Sequence, residues 1–188
     1  PGERPLRRPA QATRHRKAMI RPELTKATHV NESWSMGCMS DQLFVGCRFW
    51  LLTIVDDFTG ESLGIGVGPN LRDGDVARVF DRVKAERGVL PEKIRVDNSS
   101  EFTGKRLDQS AYLIAVRLGS SLPGPPTDNG LIEAFVGRLR AEWLSENWFL
   151  TLADAAEKVE SRRWQYNRDR PRSVLGNLAP EAFAASSA

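Results

Sequence analysis

Three apolar, β-rich runs follow one another early in the chain: Trp34–Met39, Phe49–Val55 and Ser62–Val67. The second is apolar at nearly every position, as a strand buried on both faces would be. Val45-Gly46-Cys47 and Asp56-Asp57-Phe58-Thr59-Gly60 join them as turns, so the pattern predicts an antiparallel meander. The period then changes. Val76, Val79, Phe80 and Val83 fall at i, i+3, i+4 and i+7, which predicts a helix over about 75–87, with Asp73 as N-cap and Gly88 and Pro91 ending it. Lys93–Asp97 reads as a fourth strand, 105–115 as a helix with Leu107, Ala111 and Ile114 inward, 116–118 as a short fifth strand, and 119–130 as a loop rich in Gly, Pro and Ser. A helix over about 129–147 has Ile132, Phe135, Leu139 and Trp143 as its core stripe and places Glu133, Gly137 and Arg140 on another face. Thr151, with Asp154 three residues on, opens a last long helix. Its stripe of Leu152, Ala155 and Val159 is expected to continue at 162 and 166, although position 162 is an arginine.

This order of elements is that of an α/β protein with a five-stranded mixed sheet, three antiparallel strands plus two parallel, flanked by helices. It is the layout of the ribonuclease H-like fold. Residues 1–31 have no sustained periodicity and read as a basic arm or linker, 32–184 as the core with its C-terminal helices, and 185–188 as a disordered tail. The net charge of +3 is unevenly spread: residues 1–30 hold eight Lys/Arg and two Glu, for +6, leaving −3 for the remainder. The arm's Arg7, Arg8, Arg14, Arg16 and Lys17 are therefore candidates for binding phosphates, or form a solvated linker. The two cysteines, Cys38 and Cys47, are too few for a disulfide framework and have no zinc-ligand spacing. A reducing, intracellular setting follows as the expectation. No apolar run approaches the roughly 18 residues of a membrane span.

The chemistry concentrates between Asp97, at the end of the fourth strand, and Glu133, in the first turn of a helix. Thirty-five residues separate them (133 − 97 − 1). Carboxylates at a strand end and on a helix can share a divalent cation if the fold brings them together, and two-metal phosphoryl-transfer sites use such hard oxygen ligands. Around them, Trp34-Ser35-Met36, Val55-Asp56-Asp57-Phe58-Thr59, Asp97-Asn98-Ser99-Ser100-Glu101-Phe102, the Asn129–Arg140 helix and Tyr166-Asn167 with Arg170-Pro171 resemble the motifs of the integrase-type catalytic core of bacterial insertion-sequence transposases. The resemblance covers nearly all of 31–184. It implies DNA strand transfer by an Asp-Asp-Glu triad with Mg²⁺ or Mn²⁺, DNA partners (element ends and target), a homo-oligomer, no membrane, and the bacterial cytoplasm. Asp97 and Glu133 match the second and third triad members and would be the catalytic and metal-binding residues. Arg138 and Arg140, beside Glu133, would bind DNA phosphates, or form a solvated helix face.

The departures from that pattern bear on activity. The family's first Asp follows Trp-Ser-Met, and here that position is Gly37. Cys38, Ser99, Val136 and Arg172 also depart. Asp41 shares the strand parity of Gly37 but lies about 13 Å along an extended strand, at about 3.3 Å per residue. Asp56 and Asp57 read as turn caps. The expectation is an integrase core with impaired catalysis, in which Gly37→Asp restores a ligand. A non-catalytic nucleic-acid-binding or dimerising remnant is the alternative, and an unrelated nuclease on the same fold fits the closing motifs less well.

Overall fold

The computed structural model describes residues 26–71, 73–96 and 130–187. Strands β1 (Ser33–Gln42), β2 (Arg48–Asp56) and β3 (Ser62–Gly68) form the meander; α1 (Asp73–Arg87) leads to β4 (Lys93–Val96). Helices α2 (Gly130–Glu142), α3 (Leu152–Asp169) and α4 (Pro180–Ser186) close the chain. The described sheet has four strands in the order β3-β2-β1-β4, with β4 parallel to β1 and the other pairs antiparallel. The expected fifth strand, the helix at 105–115, the loop that follows and the arm up to residue 25 lie outside the described residues. Among the described residues, no helix is long and apolar enough to cross a membrane.

The pleat of β1 divides two cores. Trp34, Met36 and Cys38 join Leu52, Ile54 and the α1 stripe of Val76, Val79, Phe80 and Val83 on one face. Met39 joins Leu51, Val55, Ile132, Phe135, Leu139, Val159 and Tyr166 on the other. A bulge at Ile54/Val55 leaves Leu63 without a partner in the ladder. Leu63 consequently enters the α1 core while Ile65 enters the opposite one, as an extra residue in a strand permits.

Ile132, Phe135 and Leu139 of the expected α2 stripe are buried, while Trp143, its expected last member, is only partly buried, and the helix is shorter than expected. It stops at Glu142, and a 3₁₀ turn, Leu144–Glu146, follows. Trp143 has left helical geometry (φ −138°), and its carbonyl accepts from Asn147 Nδ2 at 2.8 Å.

The α3 stripe also differs. Its buried positions are Ala155, Val159, Arg163, Tyr166 and Asn167, so the turn after Val159 advances by four rather than three. Arg163, not Arg162, points inward. Its Nη1 donates to the carbonyls of Ser62 (2.9 Å) and Leu63 (3.3 Å) on the outer edge of β3. Asn167 completes the edge: its Oδ1 accepts from Ser62 N and its Nδ2 donates to Ser62 O, both at 2.9 Å. Tyr166 OH donates to Gly60 O at 3.1 Å. The Tyr-Asn pair thus pins the β2–β3 turn and caps a free strand edge, where unpaired backbone groups would otherwise invite association.

Candidate active site

Gly37 lies at the middle of β1, buried under α2. Thr53 opposite it on β2 donates its hydroxyl to Gly37 O at 3.1 Å. On its other side the parallel register with β4 runs from Ser33↔Lys93 to Met36↔Val96, one residue short of Gly37 and Asp97. Asp97 itself lies outside the described residues. Glu133 stands in the first turn of α2, exposed to solvent, where a carboxylate is favoured by the helix N-terminus.

The floor beneath Glu133 is apolar. Ile132 is fully buried and Val136 packs beside it against the α2-side core. A Cβ at Gly37 would lie 2.8 Å from Ile132 Cγ1, 3.3 Å from Val136 Cγ2 and 3.4 Å from Ile132 Cδ1. Glycine is therefore required by close approach, and α2 rests directly on the strand at this point.

Asp56 and Asp57 part company. Asp56 caps the turn as expected: its Oδ1 accepts from Phe58 N (3.0 Å), Thr59 N (2.8 Å) and Thr59 Oγ1 (3.1 Å). Asp57 does not cap the turn with its side chain. It reaches back to β1, accepting from Ser33 Oγ at 2.6 Å and from Ser35 Oγ, with Arg95 Nε 3.6 Å away. Burial pushes its carboxyl above the ordinary 3.8, against the serine hydrogen bonds and Arg95. Ser33 and Ser35 alternate with Trp34 and Met36, a polar parity legible in the sequence; their partner, 24 and 22 residues away, is not.

A pH dependence follows. With the folded-state value raised, the folded chain holds the Asp57 proton more tightly than the unfolded chain, so the group's contribution to stability falls as pH rises from 3.8 through the folded-state value. Denaturant unfolding of wild type and Asp57→Asn across this range should show the wild type losing stability relative to the variant, then a constant difference. A difference independent of pH would contradict it.

Arg138 and Arg140 are both exposed on α2. Arg138 borders a cleft between α2 and α3 with Glu142, Arg162, Arg170 and Tyr166. Glu142 takes Arg170 in a two-pronged pair, Nη2 to Oε1 at 2.7 Å and Nη1 to Oε2, with Arg162 Nη2 3.6 Å away. The hydrogen bonds from Arg170 hold the Glu142 carboxyl below its usual range. Burial raises Tyr166, with Arg172, Arg138 and Arg170 opposing. Three arginines around one carboxylate leave the rim of this cleft basic. Trp148 is 71% exposed and stacks edge-on with Phe44 rather than joining the core. The arm residues Arg7, Arg8, Arg14, Arg16 and Lys17 lie outside the described residues.

A meander paired to a parallel fourth strand, with helices on both faces, is the α/β arrangement of integrase-like, ribonuclease H-like domains. Two descriptions of the Integrase core domain match the chain, over residues 27–126 and 115–180, and the chain belongs to that family, as an integrase catalytic core of the insertion-element type. It is 44% identical over 155 residues to an uncharacterized 31.7 kDa protein of insertion element IS407 from Burkholderia multivorans, covering 82% of this chain and 56% of that one. It is 37% identical over 166 residues to an uncharacterized 39.2 kDa protein of insertion element IS476 from Xanthomonas euvesicatoria, covering 88% and 48%. The chain thus spans about half the length of these curated relatives. In structure it resembles a chain of the simian T-cell lymphotropic virus intasome, with a TM-score of 0.63 at 16% identity, over 85% of this chain and 56% of that one.

The family generally uses divalent metal and acts on DNA. Among the described residues, no group of three or more His, Cys, Asp or Glu could hold a metal ion. At Gly37 the space under α2 is filled by Ile132 and Val136. The described residues therefore do not fit a site in which a carboxylate at this position bridges two cations.

Proposed function

We propose that this chain is the DNA-engaging core of an insertion-element transposase whose metal-dependent strand chemistry is impaired. The observation that carries the reading is Gly37: it follows directly on the last β1 residue paired with β4, and its side is packed by Ile132 and Val136 rather than by a carboxylate. Asp97 and Glu133 remain as the second and third acidic positions, enough to hold at most one Mg²⁺ or Mn²⁺ weakly. DNA is engaged through phosphates, by Arg138 and Arg140 on α2 and by the arm's Arg7, Arg8, Arg14, Arg16 and Lys17. The binding is expected to be sequence-poor, since phosphate-binding side chains position a duplex without reading its bases. Element ends and target DNA are the partners this implies, with a second copy of the chain to hold two ends together.

Duplex binding at several salt concentrations tests the proposal. Removing one phosphate-binding side chain reduces the salt slope by about 1, so Arg138→Ala with Arg140→Ala should lower it by about 2. Deleting residues 1–30 should lower it further. Unchanged slopes would reduce the arm to a linker and the α2 arginines to a solvated face.

A further inference from the structure

We infer that Ile132, with Val136 beside it, closes position 37 to any side chain, so that residue 132 decides whether this site can carry a carboxylate at all. The inference rests on the reading of Gly37 above but concerns packing. A Cβ at Gly37 would sit 2.8 Å from Ile132 Cγ1, closer than side-chain carbons approach. Relief by rotation is blocked: a β-branched residue in a helix has one strongly preferred χ1, and Ile132 is fully buried in the core shared with Met39, Phe135 and Leu139. Val136, one turn on, closes the same space from 3.3 Å. Retreat of β1 is opposed as well: Gly37 is paired with Thr53, whose hydroxyl holds the Gly37 carbonyl, and the preceding residues up to Met36 are paired with β4. The two positions, 95 residues apart (132 − 37), form one complementary pair. The expectation that Gly37→Asp alone restores a ligand is therefore replaced: the added carboxylate would displace α2, the helix that carries Glu133.

The experiment is a double-mutant cycle on the whole chain: wild type, Gly37→Asp, Ile132→Ala and the double variant, each followed by thermal unfolding and by calorimetric Mn²⁺ titration. Gly37→Asp should lower the thermal midpoint by roughly 5 °C or more for a domain of this size. The double variant should be more stable than the two losses added together, because Ile132→Ala opens the space that the new side chain needs. The Gly37→Ala cycle with Ile132→Ala makes the same test with a bare methyl group, should the aspartate variant fail to fold. Additive losses in both cycles, or Gly37→Ala as stable as wild type, would overturn the inference. The titration separates it from the proposed function. A folded double variant that binds Mn²⁺ at least tenfold more tightly than wild type supports both. Non-additive stability without any gain in Mn²⁺ binding supports the packing inference and overturns Asp97 and Glu133 as the waiting ligands.

Discussion

Asn167→Ala should destabilise the fold by about 2 kcal/mol, the cost of leaving one buried amide without an acceptor. Asn167 is 4% exposed and serves both backbone groups of Ser62. Alanine replaces neither bond, and water cannot readily enter beneath α3. Arg163 would keep its bonds to the Ser62 and Leu63 carbonyls, but the Ser62 amide would be left without the acceptor that Asn167 Oδ1 supplies. At roughly 2–4 °C per kcal/mol for a chain of this length, the thermal midpoint should fall by roughly 4–8 °C. Tyr166→Phe, which removes one hydrogen bond to Gly60 O, should cost only about 1 kcal/mol. Equal and small losses in the two variants would show that α3 holds β3 by apolar packing alone.

The larger functional effect is expected in catalysis. Removing groups that merely orient metal ligands typically costs about 10–100-fold in affinity or activity, and a carboxylate that bridges two cations contributes more than these. Gly37 supplies no side-chain oxygen, and the fully buried Ile132 excludes a substitute from that side of β1. Asp57, a buried carboxylate on the neighbouring strand end, is already committed to Ser33, Ser35 and Arg95. It follows β2 four residues after Thr53, the partner of Gly37, about 13 Å away along an extended strand at about 3.3 Å per residue. Background-level strand cleavage is therefore expected from the chain as it stands.

Much of the frame is legible because its period is unambiguous. Phe49–Val55 is short, apolar and bounded by turns, as a strand buried on both faces would be, and Ile132, Phe135 and Leu139 mark the inner face of α2 by their helical spacing. The features that local pattern misses are set by distant partners. Positions 162 and 163 are both arginines, so residue type does not choose between them, and the spacing after Val159 points to 162 although 163 is the buried one. Arg163 is buried because its guanidinium meets carbonyls about 100 residues upstream, which no local pattern encodes. Asp57 looks like every other turn carboxylate until β1 is laid beside it. Gly37 can be read from sequence as a missing acid, but not as the seat of α2, since that depends on the long-range meeting of β1 with Ile132.

The most direct measurement of the account is a strand-cleavage and joining assay of this chain on duplexes carrying candidate element ends, with Mg²⁺ or Mn²⁺. The account predicts no product above the metal-free background. Robust metal-dependent product from the unaltered chain, abolished by Glu133→Gln, would contradict it and show that another group supplies the ligand Gly37 lacks.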